Sequence, residues 1–118
     1  MAHDLHRLDA RRGHSLLPSD EELEKIPHLY ATEHTYLDDK VVWLRFFAGP
    51  ADWYLMELDR EEALAFGWVD LGDPQNAELG YFSLQELADL EARTRQGFTV
   101  VVERDLYWEP MTFGGLGL

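Results

Sequence analysis

The sequence predicts an α+β fold: a mainly antiparallel sheet of about five strands, one principal helix over about 84–95 packed on a face of it, and a short N-terminal helix. Three observations predict it. β-Branched and aromatic runs recur between clusters of Gly, Pro, Asn and Asp, which is the mark of short strands and turns. Two Ser-x-x-Glu segments stand where helices would begin. Only the second is followed by an apolar stripe at helical spacing, so one substantial helix is expected.

Residues 1–15 mix charges and histidines without a sustained period and read as a flexible arm. Ser19 and Glu22 form a capping box, and the acids Asp20 to Glu22 suit the positive end of a helix dipole. Pro27 stops this short helix. Val41 to Phe47 is the clearest strand and ends at Gly49-Pro50. Trp53 to Asp59 follows as its antiparallel hairpin partner. Simple alternation places Tyr54, Met56 and Leu58 on one face, and Trp53, Leu55, Glu57 and Asp59 on the other.

Ala65 to Leu71 reads as a third strand, with Gly67 marking a bulge or a close backbone approach. Turn residues run from Asp70 to Ala77, and Glu78 to Phe82 is a fourth strand. Ser83 and Glu86 make the second capping box, with a hydrophobic staple between Phe82 and Leu87. Leu84, Leu87, Ala88 and Leu90 give the stripe, and Gly97 reads as the helix terminator. Phe98 to Tyr107 is the last strand. Gly114, Gly115 and Gly117 read as a flexible tail. The expected organisation is therefore an arm (1–15), a single domain (16–113) and a tail (114–118), without an internal repeat.

Composition bounds the function. The 118 residues carry 23 Asp+Glu against 10 Lys+Arg, a net charge of −13. Residues 20–118 hold seven basic and 21 acidic residues, so the charge belongs to the expected domain. Binding to nucleic-acid backbone or anionic lipid needs clustered cations, and neither is expected. The chain has no cysteine, which excludes disulfides, thiolate metal sites and cysteine nucleophiles. With no apolar signal region at the N-terminus and no bilayer-length apolar run, a cytoplasmic protein is expected.

Several blocks occur together in a telling order. Leu29-Tyr30-Ala31-Thr32-Glu33 precedes Val42 to Phe47 with Gly49-Pro50, then Trp53-Tyr54 with Glu57, then Phe66-Gly67. Glu78-Leu79-Gly80-Tyr81-Phe82-Ser83-Leu84 and Glu103-Arg104-Asp105-Leu106-Tyr107 close the series. Over roughly residues 26–113 the chain resembles a bacterial family known as domain of unknown function 2958. Arg45 stands where that family often has Lys. The resemblance implies an occurrence on plasmids and other mobile elements, but no activity, ligand or functional residue.

Five constellations bear on chemistry. Glu57 and Asp59 are about 6–7 Å apart along one strand, as are Glu103 and Asp105. If those strands were neighbours, the four carboxylates would converge as a Ca²⁺ or Mg²⁺ site or as acid/base groups; otherwise they are solvated strand ends paired with Arg60 or Arg104. The histidines form no zincin pair, and His3-x-x-His6 offers only an adventitious metal site. The aromatics Trp43, Trp53, Trp68, Tyr81 and Trp108 are expected mainly in the core. Trp53 and Trp43 are candidates to anchor a protein partner, as are Arg45 and Arg104. Arg104 is expected to bridge to Glu78 or another acid, or to hold an anionic ligand. Ser15, Ser19 and Ser83 are the only serines, and no nucleophile or phosphate-loop motif surrounds them.

The expectation is a small acidic, non-enzymatic protein-interaction module without a cofactor, an accessory of mobile elements, whose partner has a basic surface. One alternative is an acidic nucleic-acid mimic that inhibits a DNA-processing or defence enzyme. Another is a carboxylate-based metal-binding domain or enzyme. A third is self-pairing through an edge strand.

Overall fold

The β-branched and aromatic run expected as one strand from Val41 divides at Trp43 into two strands on different sheets, in a computed structural model that describes residues 4–118. His3, half of the expected His3/His6 pair, lies outside the described residues. Along the chain come α1 (Asp9–Arg12), α2 (Asp20–Glu24), β1 (Val41–Val42), β2 (Leu44–Ala48), β3 (Ala51–Asp59), β4 (Leu64–Asp70) and β5 (Glu78–Ser83). There follow α3 (Leu84–Asp89), β6 (Glu91–Arg93), β7 (Thr99–Val101), β8 (Glu103–Arg104) and β9 (Met111–Thr112). The main sheet has five antiparallel strands in the order β5-β4-β3-β2-β8. Two small antiparallel pairs, β1-β9 and β6-β7, complete an α+β architecture.

Alternation along the strands gives each face of the sheet its own apolar cluster. Phe46, Trp53, Leu55 and Ala65 face the larger one, which α3 closes with Leu84, Leu87 and Ala88, while α2 adds Leu23. On the opposite face, Val42, Met56 and Phe113 form a smaller cluster with Tyr54 and Trp68 against it. Both predicted serine caps form: the Ser19 and Ser83 hydroxyls accept from the backbone N–H groups of Glu22 and Glu86, at 3.3 and 3.2 Å.

The sheet departs from simple alternation at one point. The β3–β4 register shifts between Leu55 and Glu57, leaving Met56 as the extra residue of a β-bulge. The bulge reverses the faces beyond it. Leu58 therefore joins Trp53 and Leu55 in the larger cluster, and Glu57 leaves their face. Gly67, paired with Leu55 beside the bulge, has the close backbone approach its position suggests.

Three further expectations are corrected. The principal helix spans only Leu84–Asp89, not 84–95, because Leu90 turns extended (ψ 122°) and Glu91–Arg93 pair with Thr99–Val101. Its apolar stripe ends at Leu90, so a helix continued over Glu91 to Arg95 would have no face to bury. Gly97, at φ 87°, serves the turn of this hairpin instead of ending the helix. The expected last strand divides accordingly into β7 and β8, on different sheets, and Phe98 is exposed.

The segment expected to be a flexible arm is packed from Leu5 onward. Leu5 and Leu8 are buried, and the Arg12 side chain is fully enclosed. Its guanidinium donates to the carbonyls of Val102 and Ala88 and to the Asp9 carboxylate. A buried guanidinium must have such partners, and here they tie α1 to α3 and to the link between β7 and β8. The segment expected to be a flexible tail begins with a 3₁₀ turn over Gly114–Leu116 that follows the buried Phe113.

Candidate functional site

The residues that bring chemistry together lie where the loop after α2 crosses the bulged strand. The Leu58 N–H donates to the Pro27 carbonyl at 2.9 Å and holds the loop against β3. Beyond it the backbone at Tyr30 takes a left-handed conformation, φ 72°, which is rare for a bulky residue. Glu57 stabilises it. Its carboxylate, only 3% exposed, accepts the N–H of Tyr30 at 2.7 Å, the N–H of Thr32 at 3.1 Å and the Thr32 hydroxyl. Lys40, also buried, donates to the Thr32 carbonyl and, at 3.0 Å, to the Thr32 hydroxyl. The Leu29 to Glu33 block is thus a backbone cradle around an internal carboxylate, with a lysine closing it from behind.

This anchoring sets an aromatic wall. The Tyr30 ring meets Tyr81 of β5 at a centroid distance of 6.4 Å, and Tyr81 leans on Phe66 of β4 at 5.0 Å. Together with Glu33, Lys40 and Glu57 they line a cleft of about 330 Å³. The adjoining Tyr30 hydroxyl, then burial, then the charges of Glu57 and Glu33 push the Tyr81 hydroxyl above its usual range.

The four carboxylates singled out from the sequence do not meet. β2 lies between β3 and β8, so the two pairs never become neighbours. Glu57 is the loop anchor, turned off the face of Trp53 and Leu55 by the bulge. Asp59 accepts the Glu62 N–H in the turn after β3. Glu103 lies 3.8 Å from His14. Asp105 holds Arg45, which also binds Asp52 and stacks on Phe47 at 4.8 Å. Burial works to lower the Arg45 pKa, but Asp52 and then Asp105 outweigh it and leave it raised. Among the described residues no three His, Asp or Glu groups are arranged to hold a metal ion.

The anchor candidates divide as well. Trp53 is 6% exposed and belongs to the core, so it offers nothing to a partner. Trp43 packs at the edge of the same cluster and lines a groove with Trp108 and Arg104. Arg45 is committed to its two carboxylates. Among the described residues Arg104 bridges neither Glu78, at the far edge of the sheet, nor another acid. It donates to the carbonyls of Leu16 at 3.1 Å and Ser15 at 3.3 Å. Burial lowers its pKa, against the opposing pull of Glu22 and Asp9.

A family model described as a protein of unknown function (DUF2958) matches residues 16–113. The chain belongs to that family. No curated protein and no solved structure matches it. The DUF2958 match takes in the whole cleft, from the Leu29 to Glu33 block to Tyr81. Sequence reasoning had these blocks but missed their joint role. Tyr30 and Lys40 carry no motif of a site, and Glu57 becomes the anchor only through the bulge. Gly67, across the strand, was the one local signal of it.

Proposed function

We propose that this DUF2958 domain is a non-enzymatic protein-interaction module whose partner presents a basic surface, and an accessory of plasmids or other mobile elements. One observation carries the reading: seven of the ten cations are bonded within the fold, while a group of acids stands exposed and unpaired. Arg7, Arg11, Arg12, Lys40, Arg45, Arg60 and Arg104 are all bonded within the fold. Among the described residues, Glu21, Glu22, Glu24, Glu61 and Glu62 are exposed and pair with no cation. The Arg60–Asp20 ion pair, 2.8 Å, draws these two acidic stretches to one end of the domain. A negative surface of this kind accelerates capture of a positive one and discriminates against acidic competitors.

The test is capture from source-cell lysate on the immobilised full chain. Proteins with basic faces should be retained at about 50 mM salt and released by about 500 mM, because surface attraction is screened. Retention that ignores salt, or none, overturns the reading. Added duplex DNA separates the narrower nucleic-acid mimic: only a partner held through its DNA site is displaced.

A further inference from the structure

We propose that the cleft between Tyr30 and Tyr81 receives one cationic side chain, a Lys or Arg, of that basic partner. The inference rests on the interaction reading above and adds the place where a single partner residue is held.

Three features select a cation. Tyr30 and Tyr81 are 63% and 51% exposed, with rings tilted at 59° to each other. Aromatic faces carry the negative lobe of the ring quadrupole and attract organic cations. Two carboxylates, Glu33 and Glu57, line the cleft against one ammonium, that of Lys40. Lys40 is buried and bound to Thr32, so it neutralises part of the charge without filling the space. The balance is one negative charge. Finally, Glu57 is not saturated: its Oε1 accepts one bond and its Oε2 two, where a carboxylate has room for about four.

The site is also built in advance. The carboxylate that would face the cation is the one that holds Tyr30 in its left-handed conformation. The backbone that carries the ring is therefore fixed before binding, and ordering is where affinity is otherwise lost. An anion would meet two carboxylates, and a neutral apolar group would cover Glu57 without satisfying it.

The experiment is a titration of the ¹⁵N-labelled full chain with a glycine-flanked arginine peptide and a lysine peptide. The citrulline and norleucine peptides are their neutral counterparts. The cationic peptides should give saturable shifts at the amides of Tyr30, Thr32 and Tyr81, and the neutral ones should bind at least tenfold more weakly. Tyr81→Ala should weaken the cationic peptides at least tenfold, while Tyr81→Phe, which keeps the ring, should hold them. The same spectra report whether each variant is folded. Equal binding of the citrulline peptide, no saturable shift at the cleft, or binding indifferent to Tyr81→Ala overturns the proposal. Salt-sensitive capture of basic proteins that persists in Tyr81→Ala overturns the cleft alone. Absence of capture by the unaltered chain overturns the reading beneath it.

Discussion

Gly67 lies against the Tyr54 carbonyl so closely that a Cβ at position 67 would stand 1.8 Å from that oxygen. The obstacle is backbone on a central strand, not the end of a flexible side chain, so it cannot swing aside. Overpacking a core costs about 1–3 kcal/mol when side chains absorb it. Gly67→Ala is expected to exceed that range or to prevent folding, because β3 and β4 would have to separate next to the bulge. Urea denaturation measures it. A loss below about 1 kcal/mol would mean the strands do not approach in this way.

Most of the sheet was legible because its signals are local. The extended run from Val41 to Phe47, the Gly49-Pro50 turn and the two serine caps each state their structure within a few residues, although nothing local marks the break at Trp43. What was not legible depends on distant partners. Nothing around Arg12 announces that the carbonyls of Val102 and Ala88 await it, so a charged segment without a period looked mobile. Leu90 fits a helical stripe as well as it fits the extended connection to β6, and only pairing with β7 decides between them. The candidate site was hidden most completely. One extra residue, Met56, turns Glu57 off the face of Trp53 and Leu55, and no propensity argument places that residue.

Glu57 should prove the costliest carboxylate of the cleft to remove. Glu57→Ala leaves the N–H groups of Tyr30 and Thr32 and the Thr32 hydroxyl without their acceptor, and opens a space beneath them. Unsatisfied buried donors cost about 1–3 kcal/mol each, with imperfect additivity, so a total of about 3–5 kcal/mol is expected. Glu57→Gln keeps one acceptor oxygen and should cost roughly half of that. Denaturant midpoints give the order. Hydrogen exchange at the Tyr30 and Thr32 amides should accelerate in both variants before the sheet is affected.

Arg12 tests whether the N-terminal segment belongs to the fold. Arg12→Met keeps the length of the side chain but leaves the carbonyls of Val102 and Ala88 without their donors. A loss of about 2–4 kcal/mol is expected, in line with breaking a buried charged hydrogen-bond network. Deleting residues 1–15 should cost at least as much, because Leu5 and Leu8 leave the core with it. A truncated chain as stable as the full one would show that these contacts carry no weight.

The same segment should give the domain an acid-sensitive element at Asp9. Burial alone would raise the Asp9 pKa, but hydrogen bonds from His6, Arg12 and the Leu16 N–H outweigh it, and the folded value lies below the ordinary 3.8. A carboxyl that is more acidic when folded stabilises fully above its unfolded value. That contribution is lost as pH falls through the folded value, because the native state must then take up a proton it resists. Stability of the unaltered chain should therefore exceed that of Asp9→Asn above about pH 5, and the difference should shrink below about pH 4 until the two curves meet. Urea midpoints collected from neutral to strongly acid pH give both curves. Curves that stay parallel throughout would mean that Asp9 is no more tightly held in the folded chain than in the unfolded one.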